Sequence, residues 1–171
     1  MRHRLPLLIV LAGGAGPACA SVGVAPRSSA SLPAALPSTP LVGLDGDPTD
    51  LATVVRGRVA LVSLWATWCD ACAEEMDALN RLQARASARV DALVVTVAVG
   101  ETRDSAGAFA RRRGLSCVQL VDQDFLLADA LGQREVPATL VVDRLGRIVF
   151  RGGALDAAGL AAFRAALGVS E

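Results

Sequence analysis

The chain contains no lysine: all 17 of its cationic side chains are arginine, and 17 carboxylates balance them to a formal charge of zero. Without a lysine amine, Schiff-base chemistry is excluded. With no basic stripe, nucleic acid has no electrostatic footprint here, and no nucleic-acid partner is expected. Histidine is nearly absent too, the one imidazole being His3 at the extreme N-terminus. Structural zinc needs four ligands, usually two cysteine pairs or one pair with added histidines. The four cysteines form only one close pair, Cys69 and Cys72, with Cys19 and Cys117 far away in sequence, so no metal is expected. The apolar run Leu5–Leu11 is too short to cross a bilayer as an ordinary helix.

What the chain does have is length for one domain with appendages, at 171 residues and 53% hydrophobic composition. Its organising stretch is Trp65-Ala66-Thr67-Trp68-Cys69-Asp70-Ala71-Cys72. The apolar run Val59–Leu64 before it reads as a buried strand. In Ala71–Ala86 after it, Cys72, Met76, Leu79, Leu82 and Ala86 recur at three- or four-residue steps, the stripe of an amphipathic helix. The cysteine pair therefore falls where a strand ends and a helix begins. Unpaired N–H groups and the positive dipole end at that point stabilise an anion, and thiolate fraction governs thiol–disulfide exchange. Cys69 is expected to be the exposed, acidic attacking thiol. Cys72, one turn further in, is placed to attack a mixed disulfide on Cys69. Two plainer readings stand beside this redox cycle: half of a zinc site, and a structural bridge, whose four-residue loop would constrain little chain entropy.

Strand, signature and helix together resemble the thioredoxin fold, an α/β class with a central mixed β-sheet flanked by helices. Within it they are similar to the exported TlpA/ResA-like (CcmG/DsbE-type) thiol–disulfide oxidoreductases. The likeness continues through Glu135-Val136-Pro137-Ala138-Thr139, which resembles the family's cis-proline segment, and through the D-x-x-G-x-I-V run from Asp143 to Val149. It covers roughly residues 41–167. The resemblance implies that Pro137 faces the cysteines, that Val136 docks substrate backbone by strand addition, and that Glu75 modulates thiol protonation. Beside Glu74, Glu75 also reads as an ordinary helix-surface carboxylate. Asp70 between the cysteines opposes ionisation of Cys69, favouring a more reducing pair. Ser63 stands where thioredoxin has a buried acid, so that proton relay is expected to be missing. Ala71 replaces the proline common before the second cysteine, and Asp77 replaces a later helix proline. Trp65 is assigned to the core and Trp68 to the active-site surface.

The remaining elements follow in order. Leu41–Leu51 reads as a β-hairpin, 91–99 as a parallel strand, 104–113 as a helix whose arginines Arg111–Arg113 form its solvated end, 117–121 as a strand and 124–131 as a helix. Ala138–Asp143 and Ile148–Arg151 pair as a hairpin, and 156–167 closes the fold as a helix. Cys117, among apolar neighbours, reads as a buried small side chain.

The N-terminus has export grammar: Arg2, His3 and Arg4, the apolar run, then small residues. Residues 1–20 are assigned as a signal peptide, 21–40 as a flexible Ser/Ala/Pro-rich tether and 41–171 as the thioredoxin-like domain. Ala18-Cys19-Ala20 fits ordinary signal-peptidase cleavage, while Gly16-Pro17-Ala18-Cys19 resembles a lipobox that would lipidate Cys19 and anchor the protein to a membrane. The expected function is an exported reductant of envelope-protein disulfides, apocytochrome c among the clients the resemblance suggests. It would be monomeric, periplasmic or on the cell-envelope face, with no cofactor beyond the Cys69–Cys72 disulfide and re-reduced by a membrane thiol donor. A net oxidant, and a lipid-tethered binding or chaperone module with a vestigial disulfide, are the competing readings.

Overall fold

The structure, a computed structural model, describes residues 35–169. The described residues fall within one compact unit, Ser31–Glu171. The segment expected to be a signal peptide, Cys19 and most of the expected tether lie outside them.

Two runs of valine, leucine and alanine build the centre of the sheet, β3 (Val59–Trp65) and β4 (Ala92–Val99), every residue of which is buried. A strand reads as continuously apolar when both of its faces are covered. Alternation then sorts the side chains: Ala60, Val62 and Leu64 join one core cluster, while Val59, Leu61 and Trp65 join the other. Around this pair lie β1 (Leu41–Gly43), β2 (Pro48–Thr49), β5 (Val118–Asp122), β6 (Ala138–Val142) and β7 (Ile148–Gly152). The seven strands run in the order β2-β1-β5-β4-β3-β6-β7. β3, β4 and β5 are parallel; β6 is antiparallel to β3, and β7 to β6, with a bulge at Val141/Val142.

The helices are α1 (Leu51–Val55), α2 (Asp70–Ala86), α3 (Arg103–Arg113), α4 (Leu126–Ala130) and α5 (Ala157–Leu167). Three begin on the side-chain oxygens expected at an N-cap: Asp50 accepts from Thr53 N–H, Thr102 from Ser105 N–H and Asp156 from Gly159 N–H. The predicted hairpin, catalytic strand and helix, parallel strand and C-terminal hairpin all form. Helix α1 was not foreseen, because Thr53, Val54 and Val55 are β-branched; the Asp50 cap and its close packing on the core outweigh that propensity. The helix expected over 124–131 shortens to 126–130. Leu36, assigned by sequence to the tether, is buried in the core and its N–H donates to Gly146 O at 3.0 Å, so the folded part starts ahead of residue 41. Among the described residues no helix is long and apolar enough to cross a membrane.

Candidate active site

The loop Ala66–Cys69 leaves the C-terminal end of β3 and turns into α2, where Cys69 is the N-cap residue. Cys69 and Cys72 are joined, with S–S 2.10 Å and Cα–Cα 5.2 Å. The Cys72 N–H donates to Cys69 Sγ at 3.1 Å, so the sulfur does at this helix start what an oxygen does at the other three. An amide aimed at that atom, at the positive end of a 17-residue helix, favours a thiolate once the bond is reduced. The expectation that Cys69 is exposed does not hold. It is only 7% accessible and Cys72 is fully buried, because the cap turns the Cys69 sulfur inward toward the helix and its partner. Trp68 beside it is 72% exposed, whereas Trp65 is buried and stacks on Phe109 with ring centroids 4.7 Å apart, as the sequence placed them. Asp70 and Ala71 are exposed on the first turn.

Glu75 is not a surface glutamate. It is 8% accessible: its Oε1 accepts from Ser63 Oγ at 2.7 Å and its Oε2 from Leu155 N–H at 2.9 Å. Glu74, its neighbour, faces solvent. One turn after Cys72 on the buried stripe, Glu75 shares that cysteine's face of the helix. The carboxylate that Ser63 seemed to lack therefore reaches the strand from α2, with Ser63 as its hydrogen-bond donor. Helical spacing carried the signal: Cys72, Glu75, Met76 and Leu79 are the i, i+3, i+4, i+7 positions of the inward face.

A second buried carboxylate was missed. Glu101, between β4 and α3, accepts from Thr67 N–H at 2.7 Å, Thr67 Oγ1 at 2.5 Å and Ser105 Oγ at 2.7 Å. Burial pushes its pKa up, but the hydrogen bonds of Thr67 and Ser105 outweigh it and hold the carboxyl below the usual range. Glu101 thus ties the active-site loop to the start of α3.

The Val136–Pro137 peptide is cis, and Val136 packs against both core clusters, one of which contains Cys69 and Cys72. Because Ala138 pairs with Leu64, the bond sits at the same end of the sheet as the cysteines. Cys117 is buried and unbridged, and burial pushes its thiol up to about 11, as fits the small apolar role expected of it. Among the described residues no group of three or more His, Cys, Asp or Glu is arranged to hold a metal ion.

A strand-to-helix cysteine pair at the same end of a mixed sheet as a cis-proline defines a thioredoxin-fold redox protein, and comparison with known proteins agrees. Residues 25–159 match the Redoxin family, and the chain belongs to it. The chain is 27% identical to thiol-disulfide oxidoreductase ResA of Geobacillus thermodenitrificans over 122 residues, 71% of this chain and 69% of the relative. It is 31% identical to the thiol:disulfide interchange protein DsbE of Pseudomonas fluorescens biotype C over 115 residues, 66% and 61% of the two chains. Its fold superposes on the crystal structure of a putative DsbE from Chlorobium tepidum with a TM-score of 0.70 at 24% identity, covering 80% of this chain and 98% of that one. It is an enzyme, a thioredoxin-like thiol–disulfide oxidoreductase of the ResA/DsbE type.

Proposed function

We propose that the protein reduces disulfides of exported proteins through a Cys69/Cys72 dithiol–disulfide cycle. The observation that carries this reading is the Cys72 amide aimed at Cys69 Sγ, with the buried Glu75 carboxylate on the same helix face. The Cys69 thiolate attacks one sulfur of a client disulfide, forms a mixed disulfide and expels the other client sulfur as thiolate. Cys72 gives up its proton and attacks Cys69 Sγ, releasing the second client thiolate. The client gains two electrons and the Cys69–Cys72 bond re-forms. Glu75 is the group assigned to take the Cys72 proton. The backbone of Val136 docks the client strand, and Pro137 shields the sulfurs. Asp70, adjacent to Cys69, biases the pair toward reduction, and Trp68 borders the client. No cofactor other than the disulfide enters the cycle.

The N-terminal sequence pattern and the TlpA/ResA-like resemblance support work outside the cytoplasm; the clients are envelope proteins such as apocytochrome c, and a membrane thiol donor restores the dithiol. Cys19 is either a lipid anchor or lost with the signal peptide. In the decisive assay, reduced protein is mixed with insulin. Wild type should precipitate the insulin B chain and Cys69→Ser should not; equal activity of that variant ends the assignment. The direction follows from the potential: near about −270 mV the protein is a reductant, near about −120 mV an oxidant.

A further inference from the structure

The exchange needs a second polypeptide beside Cys69, and the rim around that cysteine is shaped for one kind. β3, β4 and β5 are parallel, so the loops after them open at one end of the sheet, where β6 begins. Following the strand order, those loops line up as Phe125–Leu126, Gly100–Glu101, Trp68–Cys69 and Val136–Pro137. Both exposed aromatic side chains among the described residues, Trp68 and Phe125, stand in this row, with exposed Leu126 following Phe125.

Phe125 is held there against its own backbone preference. It is the one non-glycine among the described residues with positive φ, at 60°, a region bulky residues avoid. Its surroundings accommodate it. Its ring fills the space where a Cβ on Gly100 would sit, and Gly100 itself has φ +67°. Phe125 makes no side-chain cap for α4. Asp122 caps that helix instead, accepting from Leu127 N–H at 3.1 Å and Ala128 N–H at 2.9 Å. The outcome is a phenylalanine left 50% exposed beside the loop that Glu101 fastens to Thr67. Backbone strain spent on exposing an apolar ring at an active-site rim points to a binding use.

We infer that this row is a docking track for an extended, disulfide-bearing segment of a client polypeptide, with Phe125 and Leu126 receiving an apolar side chain near the client cysteine. The inference rests on the oxidoreductase reading above. The occupant follows from continuity with the disulfide, which exchanges only with a sulfur-bearing partner, and from the exposed apolar pair Phe125 and Leu126 set among polar neighbours such as Gln123 and Asp124. Phe125 follows β5, two strands from β3; at about 4.8 Å per strand and 3.3 Å per extended residue, the favoured side chain lies roughly three residues from the client cysteine. In the step itself, the client disulfide accepts two electrons as the Cys69 and Cys72 thiols lose two protons and close their bond.

The test uses ten-residue peptides carrying one cysteine as a glutathione mixed disulfide, with leucine or serine scanned through the positions on either side. The readout is the ratio of second-order rates, leucine over serine, for reduction by the reduced protein, so any general loss of activity cancels. Wild type should give a ratio of roughly tenfold at one position about three residues from the cysteine, the scale of partly burying one leucine. Phe125→Gly keeps the left-handed backbone without the ring and should bring the ratio to near one. Leu145→Ser, an exposed apolar residue at the far turn between β6 and β7, should leave it unchanged. A ratio near one in wild type, or a preserved ratio in Phe125→Gly, overturns the docking track while leaving the oxidoreductase reading intact. Failure of wild type to reduce any peptide or glutathione disulfide defeats the reading and the track together.

Discussion

Replacing Glu75 with glutamine separates its two jobs. The buried carboxylate accepts one hydrogen bond from the buried Ser63 hydroxyl and one from the part-buried Leu155 amide. A glutamine can keep both, its oxygen facing Leu155 N–H and its NH₂ donating to a Ser63 hydroxyl that has turned to accept. Exchanging charge-assisted bonds for neutral ones should cost about 1–3 kcal/mol across the pair. Alanine leaves the hydroxyl and the amide without partners, at about 1–3 kcal/mol each. Urea unfolding should therefore rank wild type, then Glu75→Gln, then Glu75→Ala. Catalysis should divide differently. Neither variant can take the Cys72 proton, so resolution of the mixed disulfide should slow by roughly 10²–10⁴ in both. Rapid mixing with a peptide disulfide, acid quenching and mass measurement should then catch the client covalently on Cys69. If Glu75→Gln resolves the mixed disulfide at the wild-type rate with an unchanged pH profile, the carboxylate is only a strut between α2 and the segment after β7, and the proton-transfer role is refuted.

Glu101→Ala should destabilise the fold by about 2–4 kcal/mol in urea, since it leaves three half-buried donors of Thr67 and Ser105 unmet. It should also shift the Cys69–Cys72 potential in glutathione buffers, because Thr67 leads directly into Cys69; an unchanged potential would reduce Glu101 to a structural tie. Cys117 should resist iodoacetamide in the native protein at pH 8 while reacting fully in urea. With its folded pKa raised to about 11 from 9.0, its contribution to stability is complete below pH 9 and is lost as the pH rises toward 11. A Cys117→Ala variant should flatten that alkaline decline.

The sequence and the structure agree most closely where a local pattern sufficed. The valine-rich strands declared themselves by composition and α2 by its stripe, while the cis Val136–Pro137 bond was implied by the family resemblance that the cysteine pair opened. Agreement fails where a partner is distant in sequence. Glu101 lies 34 residues from the Thr67 it holds, and nothing in the local run from Gly100 to Arg103 marks it as buried. Leu155 is 80 residues from Glu75, so only the helical face of Glu75, not its second hydrogen bond, could have been read beforehand. Phe125 defeats propensity outright, because no residue-by-residue rule assigns a left-handed backbone to phenylalanine; the missing Cβ of Gly100 and the Asp122 cap accommodate it. Cys69 was read as exposed from its place at a helix tip, without weighing that an N-cap side chain folds back over the first turn.

The borders of the sheet carry a consequence for a protein that must let other chains come close. One outer strand, β2, is two residues long and starts with Pro48, which has no N–H to offer a neighbour. The other, β7, meets β6 through a bulge that interrupts even pairing. Neither margin is a long flat template for strand-to-strand aggregation. Such blunting leaves an approaching chain to engage at the redox end of the sheet rather than along its flanks.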